Sequence, residues 1–254
     1  MFLNLWHTIF FDPVYNILVF FIDVVPGGDI GLAIVFTTIV VKTVLLPLSM
    51  KAAHTQRAMR LIEPELKRIQ EKYKDKREEL AKHMMELYKK AGVNPFSSIL
   101  LLFIQIPIII ALYFSVARGG GVHLPEINTA ILYSFIPNPE TASMLFLGAV
   151  DMAAKSFPIA LIAGLSQYVL MKMSLPPLKP REKDATPNFK DDFSRSMQIQ
   201  MKYGMPIIIF VIGYTISAAI ALYFAVSNIF GIAQEYVVRK RHPHVLPEEL
   251  EKQI

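Results

Sequence analysis

The chain has 254 residues, 53% of them hydrophobic, with a mean hydropathy of +0.40 and a formal net charge of +5. Soluble domains rarely run so apolar, and here the apolar residues fall into blocks near the length that crosses a bilayer. There is no cysteine, which excludes disulfides, thiolate catalysis, thiolate metal sites and cysteine-linked lipid anchors. The six histidines share no metal-ligand spacing. In a membrane protein a basic excess reports topology and contact with anionic lipid.

Residues 1–30 contain no Lys or Arg, so a cleaved leader is not expected. Asp12, Pro13, Asn16 and Asp23 interrupt the apolar run. The stretch from Val14 to Val25 makes about 18 Å of helix, too short to cross. Residues 1–29 therefore read as an interfacial helix on the outer side. The alternative is a true span from Phe2 to Val25.

The first expected span covers 30–50. Pro26-Gly27-Gly28-Asp29 forms a turn before it, with Asp29 as helix cap, and Pro47 marks its inner end. Residues 51–94 carry 12 Lys/Arg and 7 Asp/Glu. Met59, Ile62, Leu66, Ile69 and Tyr73 repeat at helical spacing, as do Leu80, Met84, Leu87 and Ala91. These stripes predict two amphipathic helices joined near Lys74-Asp75-Lys76 and packed as a cytoplasmic hairpin. Pro64 starts or kinks the first, and Gly92 ends the second.

A second span is expected over 95–117, broken by Gly119-Gly120-Gly121. An extracytoplasmic loop follows over 118–155, and a third span over 156–173. Residues 174–202 form a polar, proline-rich cytoplasmic stretch. The apolar block from Gly204 to Ala233 makes about 45 Å of helix, too long for one upright span. A break near Gly213-Tyr214-Thr215-Ile216-Ser217 gives a fourth span over 203–216 and a fifth over 217–235. One long tilted helix is the alternative. The tail is 236–254.

Basic residues set the orientation. Those in 51–94, 172–202 and 236–254 number 12, 7 and 4, against Arg118 and Lys155 on the other side. The N-terminus is expected outside and the C-terminus in the cytoplasm of a bacterial plasma membrane.

Lys42 is the residue most in need of explanation, because it falls near the bilayer centre in the first span. A lysine there costs about 2.5–3.5 kcal/mol on insertion scales. One reading is a cation displayed in a hydrated, protein-lined groove. The other is a lysine snorkelling to the inner headgroups. No acidic residue lies in the apolar interior of the five expected spans, which favours an incoming anionic partner over a structural salt bridge. Thr38 stands one turn earlier on the same face. Gln105, Gln167, Tyr223 and Asn228 are polar groups in the other spans, each an ordinary interhelical contact taken singly and together able to line a groove. Tyr214 and Ser227 are further candidates. On the hairpin, Arg57, Arg60, Lys67, Arg68 and Lys82 either recruit substrates or ribosomal RNA, or form a solvated face. Phosphate loops, dinucleotide fingerprints, zinc-protease and serine-hydrolase motifs are missing from the sequence, so no enzyme activity, metal or cofactor is expected. A small transporter or channel with an anion site at Lys42 is the competing function, and a passive scaffold a third.

Ile39-Val40-Val41-Lys42-Thr43-Val44-Leu45-Leu46-Pro47-Leu48 resembles the first conserved span of the YidC insertase family, which includes the mitochondrial and chloroplast oxidase-assembly-type proteins. Met59 to Tyr73 is similar to that family's cytoplasmic hairpin, Met85 to Ile110 to the hairpin's second half and the next span, and Leu222 to Asn228 to the final span. Gln234 lies in that span's inner continuation. The resemblance covers about residues 13–240. It implies an all-α integral membrane protein in which five transmembrane helices surround a hydrophilic groove, open to the cytoplasm and to lipid and closed on the outside. The family's groove arginine falls on Lys42, its threonine on Thr38 and its glutamine on Gln105. A tyrosine often used in the last span falls on Phe224, with Tyr223 beside it. The resemblance implies an insertase that acts as a monomer on nascent membrane proteins with acidic outer segments, in contact with the bilayer, either alone or with the Sec translocon, and with the ribosome as a candidate partner.

Overall fold

The computed structural model describes residues 5–94, 96–118, 122–175 and 195–241. Most of the expected stretch 174–202 and of the tail 236–254 lies outside them. The chain divides into two compact units, residues 1–44 with 106–233 and residues 45–105 with 234–254.

The first unit opens with a π-helical turn, His7–Phe11, running into helix α1, Asp12–Val24. The run His7–Val24 is 18 residues long and apolar enough to cross a membrane, longer than the 12-residue stretch expected. The interruption at Pro13 is absorbed by the π-turn. The Asp12 N–H reaches back five residues to the His7 carbonyl, so the helix widens by one residue where proline has no N–H to give. The same device recurs before Pro206, where the π-turn Gln200–Gly204 leads into helix α8, Met205–Thr215.

Helix α2, Ile30–Val44, begins as the sequence predicts: Asp29 Oδ1 accepts the Leu32 N–H at 3.0 Å. It ends earlier than the expected Met50. Pro47 lacks a donor and its ring conflicts with the carbonyl four residues back, so the helix breaks at Leu45. Helix α6, Phe96–Arg118, runs through Pro107. Helix α7 is Phe157–Ser174, and α9 is Ala218–Arg241. The last apolar block does break into a hairpin, at Ile216–Ser217. Gly213 makes that hairpin tight, because a Cβ there would stand 2.9 Å from Ala221 Cβ.

By length and composition, His7–Val24, Phe157–Ser174 and Ala218–Lys240 qualify as spans, and the helices flanking Leu45 make a fourth when counted as one broken span. Helix α6 contributes the shorter apolar stretch Phe103–Val116. The protein is an all-α, multi-pass membrane protein.

The loop between α6 and α7 is ordered by polar ties. Asn16 in α1 donates to the Ile131 carbonyl at 2.9 Å and accepts the Tyr133 N–H at 2.7 Å. Tyr15 Oη accepts the Asn128 N–H. Asp29 Oδ2 accepts the Leu147 N–H at 2.7 Å, and Ile30 N–H donates to the Ser143 carbonyl. Gly28, at φ +63°, lets this strand approach; a Cβ there would meet the Thr141 backbone. A short antiparallel hairpin, β1 Leu145–Phe146 with β2 Val150–Asp151, turns at Leu147-Gly148. Beyond it, the first amides of α9 find partners in the loop: Ala218 N–H donates to Ala154 O at 2.7 Å and Ala219 N–H to Met152 O at 3.1 Å.

The second unit holds α3 (Leu46–Leu61), α4 (Glu63–Lys72) and α5 (Arg77–Lys90). The expected stripes meet: Ala58, Ile62, Leu87, Ala91 and Val93 form a core, with Met59, Leu66, Ile69 and Tyr88 against it. Pro64 sits in the first turn of α4, where its missing donor is harmless. Gly92, at φ +65°, ends α5: its own N–H bonds the Lys89 carbonyl and the Val93 N–H bonds that of Tyr88. Tyr73 stacks on His83 at 4.4 Å, joining the two arms across the Lys74-Asp75-Lys76 turn.

Candidate substrate site

The break at Leu45 changes the setting of Lys42. It becomes a last-turn residue of α2, about 18 Å along the axis from Ile30. The last carbonyls of a helix carry a partial negative charge, which favours a cation within one turn. Lys42 is half-buried. Thr38, one turn earlier, is buried and donates its hydroxyl to the Ile34 carbonyl at 2.7 Å, so the Oγ1 lone pairs remain as acceptors. Its neighbour Thr37 escaped the sequence reading. It is fully buried, and its Oγ1 has no hydrogen-bond partner among the described residues. Only the doublet Thr37-Thr38 hinted at it.

Asn228 lies on α9 and is buried. Its Nδ2 donates to Ala163 O and to Ser166 Oγ of α7, each at 3.2 Å. That side chain bridges two helices. Gln167, the next residue on α7, is buried as well. Tyr223 precedes Asn228 by five residues, which turns it about 140° around the helix toward a different neighbour. It is buried and lines a cavity of about 250 Å³ with Tyr113 and Val116 of α6, Leu124, Ser217 and Ile220. Phe224 packs against a cluster of Ala163, Ile209 and Ala225.

Gln105 belongs to the second unit and is half-buried. In that unit Arg57 is directed inward: it donates to Glu235 Oε1 at 2.8 Å, with the two side chains 15% and 9% exposed. Arg239 also reaches Glu235, at 3.2 Å, and Ser49 donates to Gln234 Oε1 at 2.9 Å. Glu235 was not singled out in the sequence, since its partner lies 178 residues away. Lys67 pairs with Glu63 and Arg68 with Glu65 on the exposed face of α4, and Lys82 is exposed on α5. Glu79, hydrogen-bonded to Lys76 at 2.9 Å, holds that ammonium above its ordinary pKa. The Arg60 side chain lies outside the described residues.

Apolar helices of spanning length, one of them broken beside a half-buried lysine, together with a basic helical hairpin, define a polytopic membrane protein. The family model described as 60Kd inner membrane protein matches residues 21–245. The chain is 32% identical over 241 residues to the membrane protein insertase YidC of Oceanobacillus iheyensis, covering 93% of this chain and 84% of that one. It is 28% identical over 240 residues to membrane protein insertase YidC 2 of Bacillus anthracis, covering 93% and 82%. It is 29% identical over 215 residues to the YidC of Francisella tularensis subsp. novicida, covering 85% of this chain but 33% of that longer protein. The chain belongs to the 60Kd inner membrane protein family of YidC insertases, and is a membrane protein insertase of the multi-pass, bacterial inner-membrane type.

Proposed function

We propose that the chain receives acidic segments of nascent membrane proteins in a hydrated intramembrane groove and releases their apolar spans into lipid without nucleotide hydrolysis. One observation carries this reading: a half-buried lysine in the last turn of a helix that breaks at Leu45, with the buried Thr38 hydroxyl one turn before it. A carboxylate crossing a dry slab loses its hydration. A fixed ammonium in a low-dielectric recess returns part of that loss, and a groove reaching halfway shortens the dry path. Apolar transfer and the membrane potential drive release. Gln105, Gln167 and Tyr223 are proposed as further groove groups.

The loop ties support closure of the groove on the outer side, because they join the start of α2 to the start of α9 through one loop. An interfacial α1 on the outer side belongs to this proposal, and the alternative is the span that the length of His7–Val24 allows. The charge pattern supports an outer N-terminus and a cytoplasmic hairpin. Lys67, Arg68 and Lys82 are exposed there to receive ribosomal RNA, the Sec translocon or anionic lipid, whereas Arg57 is committed to Glu235.

The test is reconstitution with an acidic-tailed single-span substrate scored by protease protection. Lys42→Ala should lower insertion by about tenfold, the ratio for 1.4 kcal/mol, while Lys42→Arg retains it. Equal protection by the wild type and Lys42→Ala would overturn the groove cation. Solute flux through empty proteoliposomes would instead mark a channel.

A further inference from the structure

The loop between α6 and α7 displays apolar side chains that its own fold does not use. Tyr133 is 37% exposed, Phe135 75%, Leu145 48% and Leu147 68%. From Ile127 to Val150 the sequence holds one charge, Glu140. Tyr133 and Phe135 pair at 5.6 Å, so two rings share one patch. The loop does not hang free. Asn16 grips it beside Tyr133, and Asp29 grips it at Leu147.

Leu147 is the sharpest observation. It adopts φ +52°, a left-handed conformation that leucine enters at a cost and that glycine or asparagine would enter freely. The turn needs this backbone, and the Asp29 carboxylate fixes its N–H, but nothing in the turn needs leucine. A strained position spent on an exposed apolar side chain points to a partner outside the chain. The neighbourhood identifies that partner. The loop is tied to the starts of α2 and α9 and leads into α7, whose first residue Phe157 forms an aromatic cluster with Phe210 and Tyr214 of the C-terminal half of α8, centroids 5.6–6.2 Å apart. Aromatic groups at span ends mark the water–lipid boundary. Neutral, apolar and aromatic side chains held at that level suit acyl chains just below the headgroups.

We infer that the exposed side chains of Tyr133 and Phe135, together with those of Leu145 and Leu147, form a lipid-docking surface that dips into the leaflet on its own side, the outer one on the orientation proposed above. Through Asn16 and Asp29 it clamps α1 and the start of α2 to that leaflet.

The chain has no native cysteine, so single labels are direct. Phe135→Cys, Leu147→Cys and Glu140→Cys, each carrying an environment-sensitive fluorophore, are placed in phosphatidylcholine–phosphatidylglycerol vesicles. Nitroxide on the lipid should quench positions 135 and 147 several-fold more than position 140, and aqueous iodide should show the reverse order. Iodide reaching 135 and 147 as readily as 140 would overturn the inference. So would shielding from both quenchers, which would place a protein on the patch. Iodide added before and after opening the vesicles reports which side the loop faces, separately from its depth, so a wrong orientation and a wrong docking surface give different results. Leu147→Asn supplies a second arm. It should leave thermal stability in detergent unchanged or raised, because asparagine accepts this backbone, yet reduce nitroxide quenching at position 135. Undiminished quenching in that variant would count Leu147 out of the surface.

Discussion

The Arg57 guanidinium meets the Glu235 carboxylate at 2.8 Å, joining α3 to the end of α9 across 178 residues of sequence. Arg239 approaches the same carboxylate from one turn further along α9. Removing one partner of so enclosed a pair leaves the other charge unmatched, a loss of about 3–5 kcal/mol. Glu235→Ala should therefore lower the thermal midpoint in detergent markedly. Arg239→Ala should barely move it, because that side chain is half exposed.

Asn228 separates a structural role from a groove role. Its bonds to Ala163 O and Ser166 Oγ are interhelical contacts in an apolar setting, where such bonds are worth about 0.6 kcal/mol and at most about 1.7. Asn228→Leu should lose about that much stability and keep substrate insertion. A fall in insertion with stability intact would place the side chain among the groove groups instead.

Gly28 tests the stitching of the loop. Alanine there would force a left-handed backbone onto a residue with a side chain and drive its Cβ into the Thr141 backbone, which cannot yield as a side chain can. Gly28→Ala should unseat the loop, seen as faster amide exchange at Leu147 and Ser143. Gly27→Ala meets no neighbouring atom and carries the backbone strain alone, so its effect should be smaller.

Asn16→Ala removes the acceptor for the Tyr133 N–H and the donor for the Ile131 carbonyl. Both groups are partly buried, so the loss stays at the lower end of the roughly 1–3 kcal/mol for an unpaired group. The expected outcome is a lower thermal midpoint together with faster proteolytic cleavage between Asn128 and Tyr133 than in the wild type.

Local signals were legible in the sequence. The hairpin stripes at Ile62, Leu66, Ile69 and Leu87 follow the helical period, and Gly92 ends α5 because glycine enters the left-handed region freely. The turn at Ile216–Ser217 followed from length, since 30 apolar residues exceed the bilayer. Long-range pairings were not legible. Asn16 read as an interruption of the apolar run, whereas its amide binds a loop more than a hundred residues later. Glu235 carries no local signal and is a buried ion-pair partner. Pro13 read as an interruption, because no one-dimensional pattern announces that a π-turn will carry the helix past it. Lys42 stood out by its charge alone, but the helix end that helps to hold it became visible only when α2 was seen to stop at Val44.

The amides of Ala218 and Ala219 and the carboxylate of Asp29 all fasten to one loop at the starts of the helices they belong to. Motion that spares these bonds has its pivot there and its amplitude at the far end, as with shears riveted at one tip. Any widening of the gap between α2 and α9 thus grows with distance from the rivet. A visiting chain would gain the most room where it enters and the least at its leading end.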